Sequence, residues 1–287
     1  MKQIQYTIMD FKRDFPNDEA CLEWLKTSRW PDGITCNKCK KVTKHHHVSN
    51  RKAYACDVCG NHVYPMVGTI LEKSTTTLST WFHAMFLMAN TRCGISAKQL
   101  QRETGVTYKT AWRMFKQIRS MLADNVSLEG SSVEVDETYI GGRRSGKRGR
   151  GAEGKTPVVG MVQRKGQVKA IMTKNVNSAT VMPLIKENVQ QGSMIYTDEY
   201  PIYNKLNQNG YKHETVNHAV KAWVIGDAHT NTIEGFWSLV KRGISGVYHS
   251  VGEDYVQDYV NEYSFRYNRR DGERPMFWNF LDRLVKV

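Results

Sequence analysis

Four of the six cysteines stand as two close pairs, Cys36-x2-Cys39 and Cys56-x2-Cys59, with 16 residues between the pairs. Two residues between thiolates let one turn present both sulfurs to a single ion, and two such turns close a tetrahedron around Zn²⁺. The pattern therefore predicts a zinc ribbon over residues 31–66, built of short strands and turns. So short a stretch buries little core, and the metal must supply much of its folding energy, on the order of 10 kcal/mol. His45, His46 and His47 are consecutive, so their side chains diverge and read as polar hairpin residues. His62 is redundant beside a complete thiolate set. Cys21 and Cys93 have no partner pattern and are expected to be buried small apolar residues. Paired cysteines as metal ligands suit a reducing compartment. No apolar run reaches the ~18 residues of a membrane span, and residues 1–16 carry charges throughout, unlike a secretory signal. The expected location is the cytoplasm, in association with the nucleoid.

The partner class follows from charge. Lys and Arg number 41 against 28 Asp and Glu, a net charge of +13, while the 40% hydrophobic content is ample for a core. Such an excess attracts polyanions, chiefly nucleic acid or an anionic membrane surface. Four regions are expected. Residues 1–30 hold a helix capped by Asn17 or Asp18, with Ala20, Cys21, Trp24 and Leu25 at helical spacing. The ribbon at 31–66 carries Lys38, Lys40, Lys41, Lys44, Arg51 and Lys52. Residues 68–125 are helical, and 129–287 run as strands followed by helices, a mixed α/β pattern.

Within the helical region, Ser96 and Thr107 suit caps for two successive helices, and Gly105 suits the left-handed turn between them. Leu100, Val106, Ala111, Met114 and Ile118 form a shared apolar side. Tyr108, Lys109, Arg113 and Lys116 face outward, as a helix-turn-helix needs for a major groove. An ordinary helical hairpin with basic solvated residues fits the same pattern.

In the α/β region three acids stand out by position. Asp136 ends the strand Ser132–Asp136, Asp198 follows the strand Met194–Thr197, and Glu234 opens a helix over Thr232–Gly243. A hairpin is expected from Pro157–Arg164 and Gln167–Thr173, turning at Lys165 and Gly166, then a helix over Ala179–Val189 and a longer one over Asp254–Tyr267. Thr215 and Val216 close a further strand. Two carboxylates at strand ends and one from a helix can converge on a pair of divalent cations, and hard oxygen donors suit Mg²⁺ or Mn²⁺. Lys241 and Asn231 share the helix face of Glu234. Taken singly, Asp136 and Asp198 also fit turn residues, and Glu234 fits a capping box with Asn231. Strand alternation sends Glu137 to the face opposite Asp136. Between the first strand and the hairpin, Arg143, Arg144, Lys147, Arg148 and Arg150 lie among glycines, a cationic loop fit either to clamp phosphates or to serve as a solvated linker.

Taken together, these pieces resemble insertion-sequence transposases of the zinc-ribbon DDE type, in the retroviral-integrase superfamily. The matching stretches are 29–33, the four cysteines, 133–142, 196–198, 216–218, 229–243 and 265–270, with 35 residues between Asp198 and Glu234. The resemblance implies a ribonuclease-H-like catalytic domain preceded by the zinc ribbon and a helix-turn-helix region. It implies Asp136, Asp198 and Glu234 as metal ligands, Lys241 as basic partner, double-stranded DNA as substrate and a homo-oligomer on that DNA. Some relatives carry Asn in place of the Glu, so Asn231 and Glu234 both stand as third ligand. His218 and His229 match family positions without an assigned chemistry. The stretch Phe265–Arg270 either touches DNA or packs its aromatics. A DNA-binding regulator that has lost catalysis and a nuclease that only hydrolyses are the rival functions.

Overall fold

The computed structural model describes residues 5–130, 132–141, 154–216 and 229–285, which form two compact units. The first runs through Met121 and takes up the chain again from Gly272; the second is Leu122–Asp271. That grouping cuts across the expected 129–287 span, because the last helix rejoins the first unit.

The first unit opens with α1 (Ile8–Asp14), α2 (Asp18–Arg29), β1 (Ile34–Thr35), β2 (Val42–Thr43), β3 (His45–His47), β4 (Tyr54–Cys56) and β5 (His62–Val63). It continues through α3 (Leu78–Asn90), α4 (Ala97–Thr104) and α5 (Tyr108–Ser120). The second unit holds β6 (Ser132–Ile140), β7 (Thr156–Gln163), β8 (Val168–Met172), α6 (Ser178–Asn188), β9 (Met194–Thr197), β10 (Lys212–Thr215), α7 (Asn231–Gly243) and α8 (Val256–Asn268); α9 (Met276–Val285) returns to the first.

In the first unit, Asn17 caps α2 through the Ala20 amide at 2.9 Å. Helix α1 was not foreseen: it is too short to show a period, buries only Phe11, and is held by a reciprocal cap between Thr7 and Asp10. Its core is aromatic. Phe11, Phe15, Phe82, Phe86 and Phe277 pack with ring centroids 4.9–5.8 Å apart, in the range of favourable edge and offset contacts. Ser96 accepts from the Gln99 amide, Thr107 from the Thr110 amide, and Gly105 between them has φ of 73°. Leu100, Ala111, Met114 and Ile118 are buried, whereas Val106 is only half-buried. Among the described residues no helix is long and apolar enough to cross a membrane.

The second unit is a mixed α/β layer structure. Its sheet has the order β10-β9-β6-β7-β8, with β6, β9 and β10 parallel and β7 and β8 antiparallel to their neighbours. Alternation along β6 sends Val133 and Val135 to the side covered by Val181, Met182 and Ile185 of α6. The other side is covered by Ile233, Phe236, Trp237 and Val240 of α7 and Val256, Val260 and Tyr263 of α8. The β7–β8 hairpin turns at Lys165, whose φ is 57°. Strand β6 runs four residues beyond the expected Asp136, because Thr138, Tyr139 and Ile140 continue the ladder against β7. Asp136 therefore lies inside a strand, opposite Gly160, rather than at its end.

Candidate active site and metal centre

The four thiols meet. Cys36 Sγ lies 3.6 Å from Cys59 Sγ, Cys39 Sγ lies 3.9 Å from Cys56 Sγ, and all four fall within 4.8 Å of one another. A tetrahedron with Zn–S bonds of 2.3 Å has edges of about 3.8 Å, so the cluster fits structural Zn²⁺ in both donor type and size. The two turns are near copies. Lys40 N donates to Cys36 O and Cys36 N to Lys41 O at 2.8 and 3.0 Å; Gly60 N donates to Cys56 O and Cys56 N to Asn61 O at 2.8 and 2.9 Å. The residue after each second cysteine is left-handed, Lys40 with φ of 57° and Gly60 with 70°. Thr43 Oγ1, 3.2 Å from Cys56 Sγ, brings that thiol down to about 6. The three histidines take separate partners: Thr43 O, Asp57 and Arg51 O. Cys21 is buried, but Cys93 is exposed, a correction to its expected burial; it sits in the turn after α3, beside Gly94 with φ of 92°.

The carboxylates come together through sheet register. Strands β6 and β9 pair in parallel from Ser132↔Met194 to Glu134↔Tyr196. Asp136 lies two residues past the last paired position of β6, and Asp198 two residues past its partner and just beyond β9, so both stand at the same end of the paired strands. Asp198 also accepts from Tyr200 N at 3.1 Å, the local turn bond typical of Asp. Helix α7 lies over the same side of the sheet, where it can approach closely because Gly160 has no Cβ: one built there would collide with the Trp237 ring. Asn231, Glu234 and Lys241 lie off its buried stripe and are exposed. The Asp136 carboxyl is pushed up to about 7, first by burial, then by the carboxylates of Glu137, Asp198 and Glu234. Among the described residues, only the four cysteines gather within 4.8 Å; the acids stand further apart.

The capping box considered for Asn231 and Glu234 does not form. Helix α7 starts at Asn231, and the residue before it, Thr230, makes no side-chain cap. The cap comes from the sheet instead. Glu134 Oε2 accepts from Thr232 N at 2.8 Å and Ile233 N at 3.0 Å, and Oε1 accepts from Thr232 Oγ1 at 2.9 Å. Glu234 thus keeps its carboxylate for the exposed face, where Thr230 Oγ1 donates to it at 2.9 Å. Glu134 carried no role in the sequence; its place two residues before Asp136 was the available signal. His229 Nδ1 lies 3.1 Å from Glu134 Oε1 without hydrogen-bond alignment. Glu137 faces the other way, as alternation requires, and accepts from the buried Tyr203 hydroxyl at 3.0 Å.

Of the residues expected to meet DNA, Lys109, Arg113 and Lys116 are exposed on α5. Arg143, Arg144, Lys147, Arg148 and Arg150, together with His218, lie outside the described residues. The stretch Phe265–Arg270 is internal structure. Phe265 is buried, Arg266 pairs with Glu262, and Arg269 stacks on Phe265 and grips Asp124. Arg270 stacks on Tyr267, and Asn268 exchanges two hydrogen bonds with the backbone of Val168.

The profile of the ISXO2-like transposase domain matches residues 127–268, and that of the transposase zinc-ribbon domain matches 16–62. A protein of Halobacterium salinarum, described as an uncharacterized protein in transposable element ISH50, is 30% identical over 253 residues, 81% of this chain and 85% of its own. An uncharacterized transposase-like protein of Haemophilus influenzae is 28% identical over 122 residues, 42% of this chain and 96% of its own. Among solved structures, a pre-cleavage Mos1 transpososome aligns at 12% identity and a TM-score of 0.30 over 67% of this chain and 71% of its own. A Mos1 transposase paired-end complex with left transposon end aligns at 12% and 0.32 over 71% and 75%. With the tetrathiol cluster, the two profile matches and the likeness to a transposable-element protein over most of both chains, this chain belongs to the insertion-sequence transposases that join an N-terminal zinc ribbon to an ISXO2-like transposase domain.

Proposed function

We propose that the chain cuts and joins DNA at the ends of an insertion sequence, with Asp136, Asp198 and Glu234 as the ligands of two divalent cations. The sheet unit is read as a ribonuclease-H-like catalytic domain. The zinc ribbon of 31–66 and the helical pair within 68–125 are read as the parts that bind the ends. The observation that supports this is the β6–β9 pairing, which brings Asp136 and Asp198 to one end of neighbouring strands, with α7, the helix that bears Glu234, packed on the same sheet. The donor set suits a hard cation: the Asp136 carboxyl is pushed up by burial and then by neighbouring carboxylates, Asp198 and Glu234 among them, a penalty that a cation would relieve. Bound Mg²⁺ or Mn²⁺ would activate the attacking oxygen and stabilise the leaving one in an in-line displacement. Asp136 and Asp198 hold one side of that position from the sheet, and Glu234 approaches from the helix. Asn231, at the first turn of α7, stands as the alternative or additional ligand. Lys241, two turns beyond Glu234, offers its ammonium to a DNA phosphate. Water frees a 3′-hydroxyl at the element's end, and that hydroxyl attacks the target strand. Two ends must be cut together, so a homo-oligomer on double-stranded DNA belongs to the reading.

The test is a cleavage-and-joining assay on DNA carrying the sequences that flank the gene, with Mg²⁺ or Mn²⁺, comparing wild type with Glu234→Gln. Joined products from wild type alone support the reading. Cutting without joining makes the chain a nuclease, and binding without cutting makes it a regulator.

A further inference from the structure

We propose that Glu134 is the positioning residue of this site: held by Arg164, it fixes the first turn of α7 and so the height of Glu234 above Asp136 and Asp198. The inference rests on the carboxylate reading above. Glu134 is wholly buried, and a buried carboxylate persists only where its oxygens are met by donors. Here Oε2 takes the two amides that open α7, and Oε1 takes the Thr232 hydroxyl and Arg164 Nε, the last at 2.9 Å. An ordinary helix cap comes from the residue before the helix and travels with it. This one comes from a strand 98 residues earlier, so it ties the helix to the sheet. Glu134 and Asp136 share one side of β6, about 7 Å apart. The anchor therefore stands next to the first expected ligand.

Arg164 extends the anchor to all three segments that carry the acids. It reaches β6 through Glu134. It lies over the Tyr196 ring of β9 at 3.9 Å, two residues before Asp198. Its NH2 donates to His229 O, at the entry to α7, at 2.8 Å. One guanidinium thus touches the strand of Asp136, the strand of Asp198 and the approach to Glu234.

The experiment titrates Mn²⁺ into the zinc-loaded full chain without DNA, following free Mn²⁺ by electron paramagnetic resonance. It compares wild type, Asp198→Asn, Glu134→Gln and Arg164→Lys. Hydrogen exchange of the amides of residues 232–234 is followed in parallel. Glu134→Gln keeps the volume but turns an NH2 toward the donors. The expected result is Mn²⁺ affinity reduced about 10- to 100-fold, faster exchange at the start of α7, and a smaller loss for Arg164→Lys, which serves alone if Glu134→Gln does not fold. Wild-type Mn²⁺ affinity in both variants, with Asp198→Asn defective, overturns the positioning role and leaves the carboxylate site standing. Wild-type affinity in Asp198→Asn removes the site itself, and the positioning role falls with it.

Discussion

The molecule positions its four cysteines and its three proposed acid ligands by opposite means. In the ribbon, each pair of thiols is carried by one turn, and the backbone bonds of that turn aim the sulfurs. In the sheet unit, the acids come from β6, the residue after β9, and α7, with long stretches of chain between them. The first cluster is expected to draw its folding energy from its ion; the second is set by the packing of strands and a helix. Removing parts should therefore act locally and completely in the ribbon, and at a distance and by degrees at the acids.

The largest effect should follow loss of zinc. Chelation, or Cys56→Ser, removes on the order of 10 kcal/mol from the ribbon. Proteolysis should then cut within residues 31–66 while β6–β9 stay resistant. A ribbon that keeps its resistance without zinc would break the comparison. Next comes Asp198→Asn, which leaves the sheet intact. Loss of a ligand costs several kcal/mol of transition-state stabilisation, about a thousandfold in cleavage, with end binding unchanged. Cleavage at the wild-type rate would remove Asp198 from the site.

How far each cluster could be read beforehand follows the same division. Cys36, Cys39, Cys56 and Cys59 were legible because a spacing of two residues already fixes the geometry. Asn17, Ser96 and Thr107 were legible as caps for the same reason: each bonds an amide three residues on. Asp136 was legible as an acid on a strand, but not its place in the middle of that strand, because the ladder that lengthens β6 lies on β7. Glu134 shows the limit most clearly. Its alternation with Asp136 was visible, yet its partners at Thr232 and Ile233 were not, so the helix cap was sought in Asn231, one residue inside the helix. The stretch Phe265–Arg270 stayed open between DNA contact and packing: Glu262, one helical turn before Arg266, was a local signal, whereas Asp124, which holds Arg269, lies far off in the sequence.

The acid cluster also has a pH signature of its own. Asp136 stands near 7 in the folded chain against an ordinary 3.8. The folded state therefore holds a proton that the unfolded state gives up, and stability must fall as pH rises from about 4 to about 7, then level off. Thermal unfolding without Mg²⁺ should show this slope, and added Mg²⁺ or Asp136→Asn should flatten it. A flat profile without Mg²⁺ would mean the acids do not crowd. A smaller effect, about 1–3 kcal/mol, is expected of Gly160→Val, since its side chain would run into Trp237 and lift α7. Because Gly160 pairs with Asp136 and ligates nothing, a loss of Mn²⁺ affinity there would show that helix height matters. Unchanged affinity in a folded variant would show that it does not.

The smallest effect tests whether binding and chemistry are divided between the two units. Lys109 and Arg113 are exposed on α5, behind the Thr107 cap, and belong to the unit that carries the ribbon. If they meet phosphates, each replacement by Ala removes one released counterion, so the log–log salt slope of end binding should shrink by about 0.9 per contact. The affinity lost at moderate salt should be a few-fold, and it should vanish as salt is raised, because the remaining contacts are untouched. The cleavage rate at saturating protein should not move, the mirror image of Asp198→Asn, which stops cleavage and spares binding. A double replacement that leaves the slope unchanged would turn α5 back into a solvated basic helix. One that lowers the saturated cleavage rate would mean that the basic helix helps to place the scissile strand, and that the division of labour between the units is not clean.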